Sequence, residues 1–348
     1  MFTGQAVRER QTKQEGTSVK MLNEFYFFTD PEVLIHMAFP NDKRWQLLTR
    51  TSDFSKFVNI PECNQSYFKQ DIEIRSKFSG RLNTTNGECH IELGSDQSEG
   101  LSLDYELYYN NNESGKEISD SLQLNNFVLL DRSNNAWRFS IRFPESGVYK
   151  LQIVGGRGYE VDLCAFKITC DVPMDDCKPL PFNPGRIGYG PNHDTELAGI
   201  VAKSHKSGIV KMSVRKYIDF NFTLTRDVQM KTKLVHPTLS SEELSQYCKQ
   251  TQKHRNVSVQ VCVPDEGEFA LSIDAQQSNE SDYKNVCNYL LTSEGGKKKK
   301  KRAYEVCITI ISLPFRSSLS SPLLTSPQML PTQYISPSSS LSSTAATV

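Results

Sequence analysis

Residues 137–154 read WRFSIRFPESGVYKLQIV, and their pattern constrains the fold more than any other stretch. Trp137, Phe139, Ile141 and Phe143 alternate with Arg138, Ser140 and Arg142. A strand places successive side chains on opposite faces, so this alternation predicts one face in a core and one in water. Pro144-Glu145-Ser146-Gly147 follows, four turn formers in a row. Proline presets one backbone angle and glycine permits a left-handed one, which predicts a hairpin. The second arm alternates again through Tyr149, Leu151 and Ile153. About 120 residues on, the pattern recurs in the same phase: Val257, Val259, Val261 and Val263, then Pro264-Asp265-Glu266-Gly267, then Phe269, Leu271 and Ile273. The repeat predicts two tandem copies of one β module of ordinary domain size.

Read in order, residues 1–21 are polar and aperiodic and are expected to be disordered. Residues 24–28 predict a short buried strand, and Thr29 or Asp30 is placed to cap a helix over 31–37 with Pro31 at its start. Trp45 is expected to be an apolar anchor. The first module is placed at 49–172, with strands over 68–78, 89–93, 101–109, 127–130 and 161–170 beside the 137–154 arms. Gly155-Gly156-Arg157-Gly158 is read as a loop, because a phosphate loop would need a following Lys-Ser/Thr and a helix. Residues 173–195 form a Pro/Gly-rich linker whose Phe182, Ile187 and Tyr189 are expected to pack against a module. The second module is placed at 196–312, with strands over 209–214, 217–225, 228–235 and 286–291 and a short helix over 241–247 capped by Ser240 or Ser241. The run 295–302 is read as a basic loop, 303–312 as one more strand, and 313–348 as a disordered Ser/Pro-rich tail.

Several motifs together resemble the kyphoscoliosis-peptidase and hillarin family, transglutaminase-like proteins of muscle and cytoskeleton. They are Asn23-Glu24-Phe25-Tyr26-Phe27-Phe28-Thr29-Asp30-Pro31-Glu32, Phe39-Pro40-Asn41-Asp42 and Trp45-Gln46-Leu47-Leu48. Phe54-Ser55-Lys56-Phe57, Leu180-Pro181-Phe182-Asn183-Pro184-Gly185, Gly188-Tyr189-Gly190-Pro191 and both Pro-x-x-Gly turns extend the resemblance to residues 22–294. It implies that 22–48 is the remnant of a transglutaminase-like domain leading into β-sandwiches. Glu145-Ser146-Gly147-Val148-Tyr149 also resembles the turn of immunoglobulin sandwiches in which a tyrosine hydroxyl bonds back to the backbone. Leu151 stands where the disulfide cysteine would be, and Phe269 in the second copy has no hydroxyl, so packing alone is expected to hold that corner. The fold expected is all-β: two tandem immunoglobulin-like sandwiches after the 22–48 remnant. The residues expected to carry it are Trp45, Trp137, Pro144, Gly147, Tyr149, Pro264, Gly267 and Phe269.

A cysteine nucleophile needs an imidazole beside it and a carboxylate to orient that imidazole. The resemblance places such a Cys-His-Asp core upstream of residue 23, where this sequence supplies only polar residues, so no catalytic residue is carried over. Asp30 is read as a helix cap. His36, His90, His193, His205, His236 and His254 fall in different elements. Cys164, Cys287 and Cys307 lie in expected strands, and Cys262 alternates outward. No new nucleophile is expected among the nine cysteines. No CxxC pair exists, and adjacent Cys89 and His90 point to opposite faces of a strand, so neither a metal nor another cofactor is expected.

Lys+Arg and Asp+Glu balance at 40 each, which removes a global field toward nucleic acid. No apolar run reaches the length of a membrane span. An odd cysteine count without regular pairing, and no apolar leader, predict a reduced cytoplasmic setting, with the Asn-x-Ser/Thr sequons as chance. The function expected is a non-enzymatic interaction or scaffold module with protein partners at the cytoskeleton. One rival is a truncated form of a transglutaminase-like cysteine peptidase or transferase. Another is a secreted adhesion protein.

Overall fold

The computed structural model describes residues 24–119, 121–158, 160–277 and 281–294. The expectations for 1–21, for the basic run and for 303–348 lie outside them. The first sandwich contains β1 (Glu62–Cys63), β2 (Glu73–Ile74), β3 (Arg81–Asn83), β4 (Glu88–Gly94), β5 (Leu101–Tyr109), β6 (Val128–Ser133), β7 (Ala136–Arg142), β8 (Gly147–Arg157) and β9 (Val161–Cys170). One sheet runs β1-β9-β8-β5, with β3 also on β9, and the facing sheet runs β2-β4-β7-β6. The second contains β10 (Ile200–Ala202), β11 (Ile209–Ser213), β12 (Ile218–Leu224), β13 (Val228–Val235), β14 (Cys248–Lys253), β15 (Asn256–Val261), β16 (Gly267–Gln277) and β17 (Lys284–Glu294). Its sheets run β10-β12-β15-β14 and β11-β17-β16-β13. The architecture is all-β, two immunoglobulin-like sandwiches in tandem.

Alternation decides which side chains fill each core. Trp137, Phe139, Ile141 and Phe143 are fully buried, as are Tyr149, Leu151 and Ile153 from the facing sheet. Val257, Val259, Val261 and Val263 meet Phe269, Leu271 and Ile273 in the same way.

The expected hairpins, however, do not form. β7 pairs with β4 and β6, whereas β8 pairs with β5 and β9. β15 and β16 are likewise in different sheets. Each Pro-x-x-Gly turn is a corner that carries the chain from one sheet to the other. Period-two alternation fixes the face a strand buries, and two inward faces can meet across a core as well as side by side.

Other expectations are corrected by capping and edges. Residues 24–28 form a 3₁₀ turn (Glu24–Tyr26), after which Phe27 and Phe28 are exposed. The Asp30 carboxylate accepts from the Glu32 amide at 2.9 Å and starts helix α1 (Pro31–Leu34), so the chain turns before a strand can pair. A one-turn helix α2 (Phe54–Phe57) follows. The strand expected over 68–78 is reduced to β2 (Glu73–Ile74), because the Asn64 side chain accepts from the Ser66 and Tyr67 amides and starts helix α3 (Gln65–Lys69). Gly155 and Gly156 lie inside β8, where a Cβ on Gly155 would strike the Ser102 carbonyl of neighbouring β5. Strands β10 and β14 have no counterpart in the expected pattern.

Candidate functional site

The two corners are built differently. In the first, Tyr149 is fully buried and its hydroxyl donates to the Glu145 carbonyl at 2.8 Å. Its ring meets Phe143 at 4.7 Å and Tyr109 at 5.0 Å, edge to face. Gly147 sits at φ 142°, and a Cβ there would collide with Tyr109 and Ser114. Pro144 is half-buried. In the second corner Pro264 and Phe269 are buried, Gly267 has φ 134°, and His236 stacks on Phe269 at 4.6 Å. Packing is not alone there. The Ser293 hydroxyl donates to the Asp265 carbonyl at 2.8 Å, with the Gly267 carbonyl at 3.2 Å. A hydroxyl from β17 thus meets the backbone of a corner whose own aromatic residue lacks one.

The sandwiches are joined through the linker. Leu180 and Tyr189 are buried between Leu129 on the outer face of β6 and Ala270 and Leu290 on the outer faces of β16 and β17. The linker also bonds as a strand would. Tyr189 N–H donates to the Leu130 carbonyl and Arg132 N–H to the Tyr189 carbonyl, each at 2.7 Å. Gly190 N–H donates to the Asn288 carbonyl at 2.8 Å, and the Asn288 amide donates to the Gly188 carbonyl at 3.0 Å. A Cβ on Gly188 would stand 2.7 Å from the Leu130 carbonyl, so the linker backbone approaches β6 as only glycine allows. Buried Arg132 pairs with Asp194 at 2.6 Å.

One further bond ties the two repeated corners. Arg142, just before the first corner, donates twice to Glu268, just after the second, at 2.7 and 2.6 Å. Fork-to-carboxylate geometry fixes orientation as well as distance. Glu268 correspondingly raises the Arg142 guanidinium above its ordinary range, against the pull of burial.

Trp45 departs from expectation: it is 72% exposed and lies outside the cores. Phe27, Phe28, Leu47 and Phe54 are exposed with it. Cys262, expected to face outward, is buried. It follows the end of β15, and its amide donates to the Tyr247 carbonyl at 2.9 Å.

A cysteine and a histidine do meet, against expectation. Cys63 and Cys164 are direct cross-strand partners on β1 and β9, and each thiol shifts the proton affinity of the other. His36 lies beside Cys63 in the segment after α1, and its Nδ1 donates to the Pro61 carbonyl at 3.0 Å. The Cys164 contact, helped by His36, lowers the Cys63 thiol far below the ordinary range despite burial. Burial works against a charged His36, but Cys63 and Pro61 outweigh it and raise the imidazole. Contact with Cys63, then burial, raises Cys164. Both sulfurs lie inside the core, and a backbone carbonyl, not a carboxylate, orients the ring. A hydrolase triad would place a carboxylate where the Pro61 carbonyl stands. Among the described residues no group of three His, Cys, Asp or Glu side chains is placed to hold a metal ion.

A family model described as KY-like, immunoglobulin-like domain matches residues 54–181 and 198–303. The chain belongs to this family. Hillarin of Drosophila melanogaster is 24% identical over 274 residues, which is 72% of this chain and 32% of that protein. The kyphoscoliosis peptidase of Mus musculus is 24% identical over 276 residues, 78% of this chain and 39% of that protein. The chain thus spans 32% and 39% of the length of these two relatives. Among solved structures, tandem Ig repeats of Dlar align with 65% of this chain and 98% of their own, at 12% identity and a TM-score of 0.19.

In this KY-like pair the corner residues are legible from spacing, because each corner lies within one continuous stretch. The joint and the thiol pair are not. Arg142 and Glu268, or Cys63 and Cys164, meet only through strand register, and sequence alternation carries no register between distant strands.

Proposed function

We propose that this KY-like tandem is a non-enzymatic scaffold that presents two sandwiches at one fixed angle to cytoskeletal protein partners in the cytoplasm. The observation carrying the proposal is the joint: an apolar cluster, a strand-like linker and a two-bond ion pair, where a passive tether would need none of these. Fixed spacing is useful to a protein that must register along an ordered partner. The module limits that go with this reading are 49–172 and 196–312, with 173–195 as the joint. Trp137, Pro144, Gly147, Tyr149, Pro264, Gly267 and Phe269 serve as its structural residues, and residues 22–48 are the remnant of a transglutaminase-like domain. A free edge such as β14 offers a partner's extended segment a place to pair. The test is affinity capture by the full chain from a muscle extract. Filament and filament-linking proteins should be enriched over a control sandwich; retention of none contradicts the proposal.

A second reading has its own observation. Phe27, Phe28, Trp45 and Leu47 form exposed apolar surface in the segment that resembles the end of a transglutaminase-like core. In a longer form of the protein, such a core packs on that surface, and the catalytic activity belongs to it. A transglutaminase-like core supplied in trans should shift Trp45 emission to the blue. Emission left unchanged at saturating core contradicts this reading.

A further inference from the structure

We infer that Cys63 and Cys164 are a redox-modification site, a thiol pair that a hydroperoxide converts into a cross-strand disulfide tying the β1 edge to the first sandwich. The inference is independent of the proposed scaffold role.

Geometry carries it. Cys63 and Cys164 are opposite one another in the antiparallel ladder. The next pair along, Asn64 and Leu163, is hydrogen-bonded: Asn64 N–H donates to the Leu163 carbonyl at 2.9 Å. Hydrogen-bonded and non-hydrogen-bonded pairs alternate, so the cysteines occupy a non-hydrogen-bonded position, where facing Cα atoms stand about 4.5 Å apart. That lies within the roughly 4.4–6.8 Å over which a disulfide closes without moving backbone. No other register pair of this chain sets cysteine against cysteine among the described residues.

The surroundings supply the chemistry. The titratable groups around the pair are His36 after α1, Tyr67 on α3 and, on the opposite, exposed face of β1, Glu62. Of these, His36 favours the Cys63 thiolate and Glu62 opposes it. The thiolate is the nucleophile in thiol oxidation. Access comes through the edge, because β1 is two residues long and holds to β9 at only two register positions. Short, weakly paired edges open locally at small cost.

The step balances with hydrogen peroxide as the hydroperoxide. The Cys63 thiolate attacks one peroxide oxygen, the O–O bond breaks, and the leaving hydroxide takes the His36 proton to become water. Cys63 is then a sulfenic acid. The Cys164 thiol attacks that sulfur, the S–O bond breaks, and a second water leaves as the S–S bond forms. Two thiols are oxidised and one peroxide is reduced by two electrons.

The test treats the full, freshly reduced chain with hydrogen peroxide, alkylates it without reduction and maps cysteine peptides by mass spectrometry. A linked peptide containing Cys63 and Cys164, lighter by two hydrogens, is expected, while Cys89 and Cys287 remain alkylatable after unfolding. Burial raises both of those thiols, which keeps them protonated. Cys164→Ser should leave Cys63 as a sulfenic acid that dimedone traps. His36→Asn should slow linking roughly tenfold at pH 7 and much less at pH 9, because thiolate supply then no longer depends on the imidazole. The unmodified chain alone can decide. If its Cys63 and Cys164 both stay alkylatable, or Cys63 links to another cysteine, the inference fails.

Discussion

Breaking the Arg142–Glu268 pair is the sharpest test of the joint. Two N–H···O bonds of 2.7 and 2.6 Å connect side chains that are 22% and 26% exposed. Two unit charges about 4 Å apart attract by about 1 kcal/mol in water and about 4 kcal/mol at an effective dielectric of 20. Partial burial places this pair between those limits, and desolvation removes part of the gain. A coupling energy of about 1–2 kcal/mol is therefore expected, above the roughly 0.2–1 kcal/mol of exposed pairs. The assay is a double-mutant cycle in urea with Arg142→Met, Glu268→Gln and the combination. Each single variant should lose more than half of what the combination loses, since each leaves one charge half-buried and unpartnered. Lys43–Asp53, with side chains 61% and 59% exposed, is the internal comparison and should show little coupling. If the two cycles give the same coupling, under about 0.3 kcal/mol, the ion pair does not hold the sandwiches together.

Two further outcomes follow from the first sandwich. Tyr149→Phe removes the hydroxyl that meets Glu145 and keeps the ring, so it should cost about 0.5–1.5 kcal/mol, whereas Tyr149→Ala also opens a cavity and should cost about 3–5 kcal/mol; urea unfolding of both variants checks the gap. Burial raises the Asp104 carboxyl above its ordinary value, against the Tyr105 amide that it accepts from. The folded chain thus holds that proton more tightly than the unfolded chain, and the stability of the neutral form, present at low pH, is lost as pH rises through the raised value. Asp104→Asn keeps the amide bond and should stabilise the chain at pH 7 more than at pH 3.5; an equal effect at both pH values refutes the reasoning.

Much of the fold was legible because strand alternation is a local property. The arms around both Pro-x-x-Gly turns, with Tyr149 and Phe269 just beyond them, declare their buried faces in ten residues. What the same pattern hides is the neighbour, which is why the corners read as hairpins. The 68–78 stretch reads as one strand because its apolar content outweighs one capping residue, yet the helix that Asn64 caps runs to Lys69 and leaves only Glu73–Ile74 as strand. β14, CKQTQK, shows no apolar face because as a sheet edge it buries almost nothing. The Ser293 hydroxyl that meets the second corner comes from a different strand, 26 residues beyond Gly267 in one of its bonds, and nothing near Phe269 announces it. The joint and the Cys63–Cys164 pair were hidden for the same reason, since register between distant strands is settled only when both sheets close.

The proposed scaffold requires that the two sandwiches move as one rigid piece. Residual dipolar couplings from backbone amides of both, measured on the full chain in a weakly aligning medium, test it directly. One alignment tensor is expected to fit residues of both sandwiches. Two tensors of different magnitude, one for each sandwich, would contradict it.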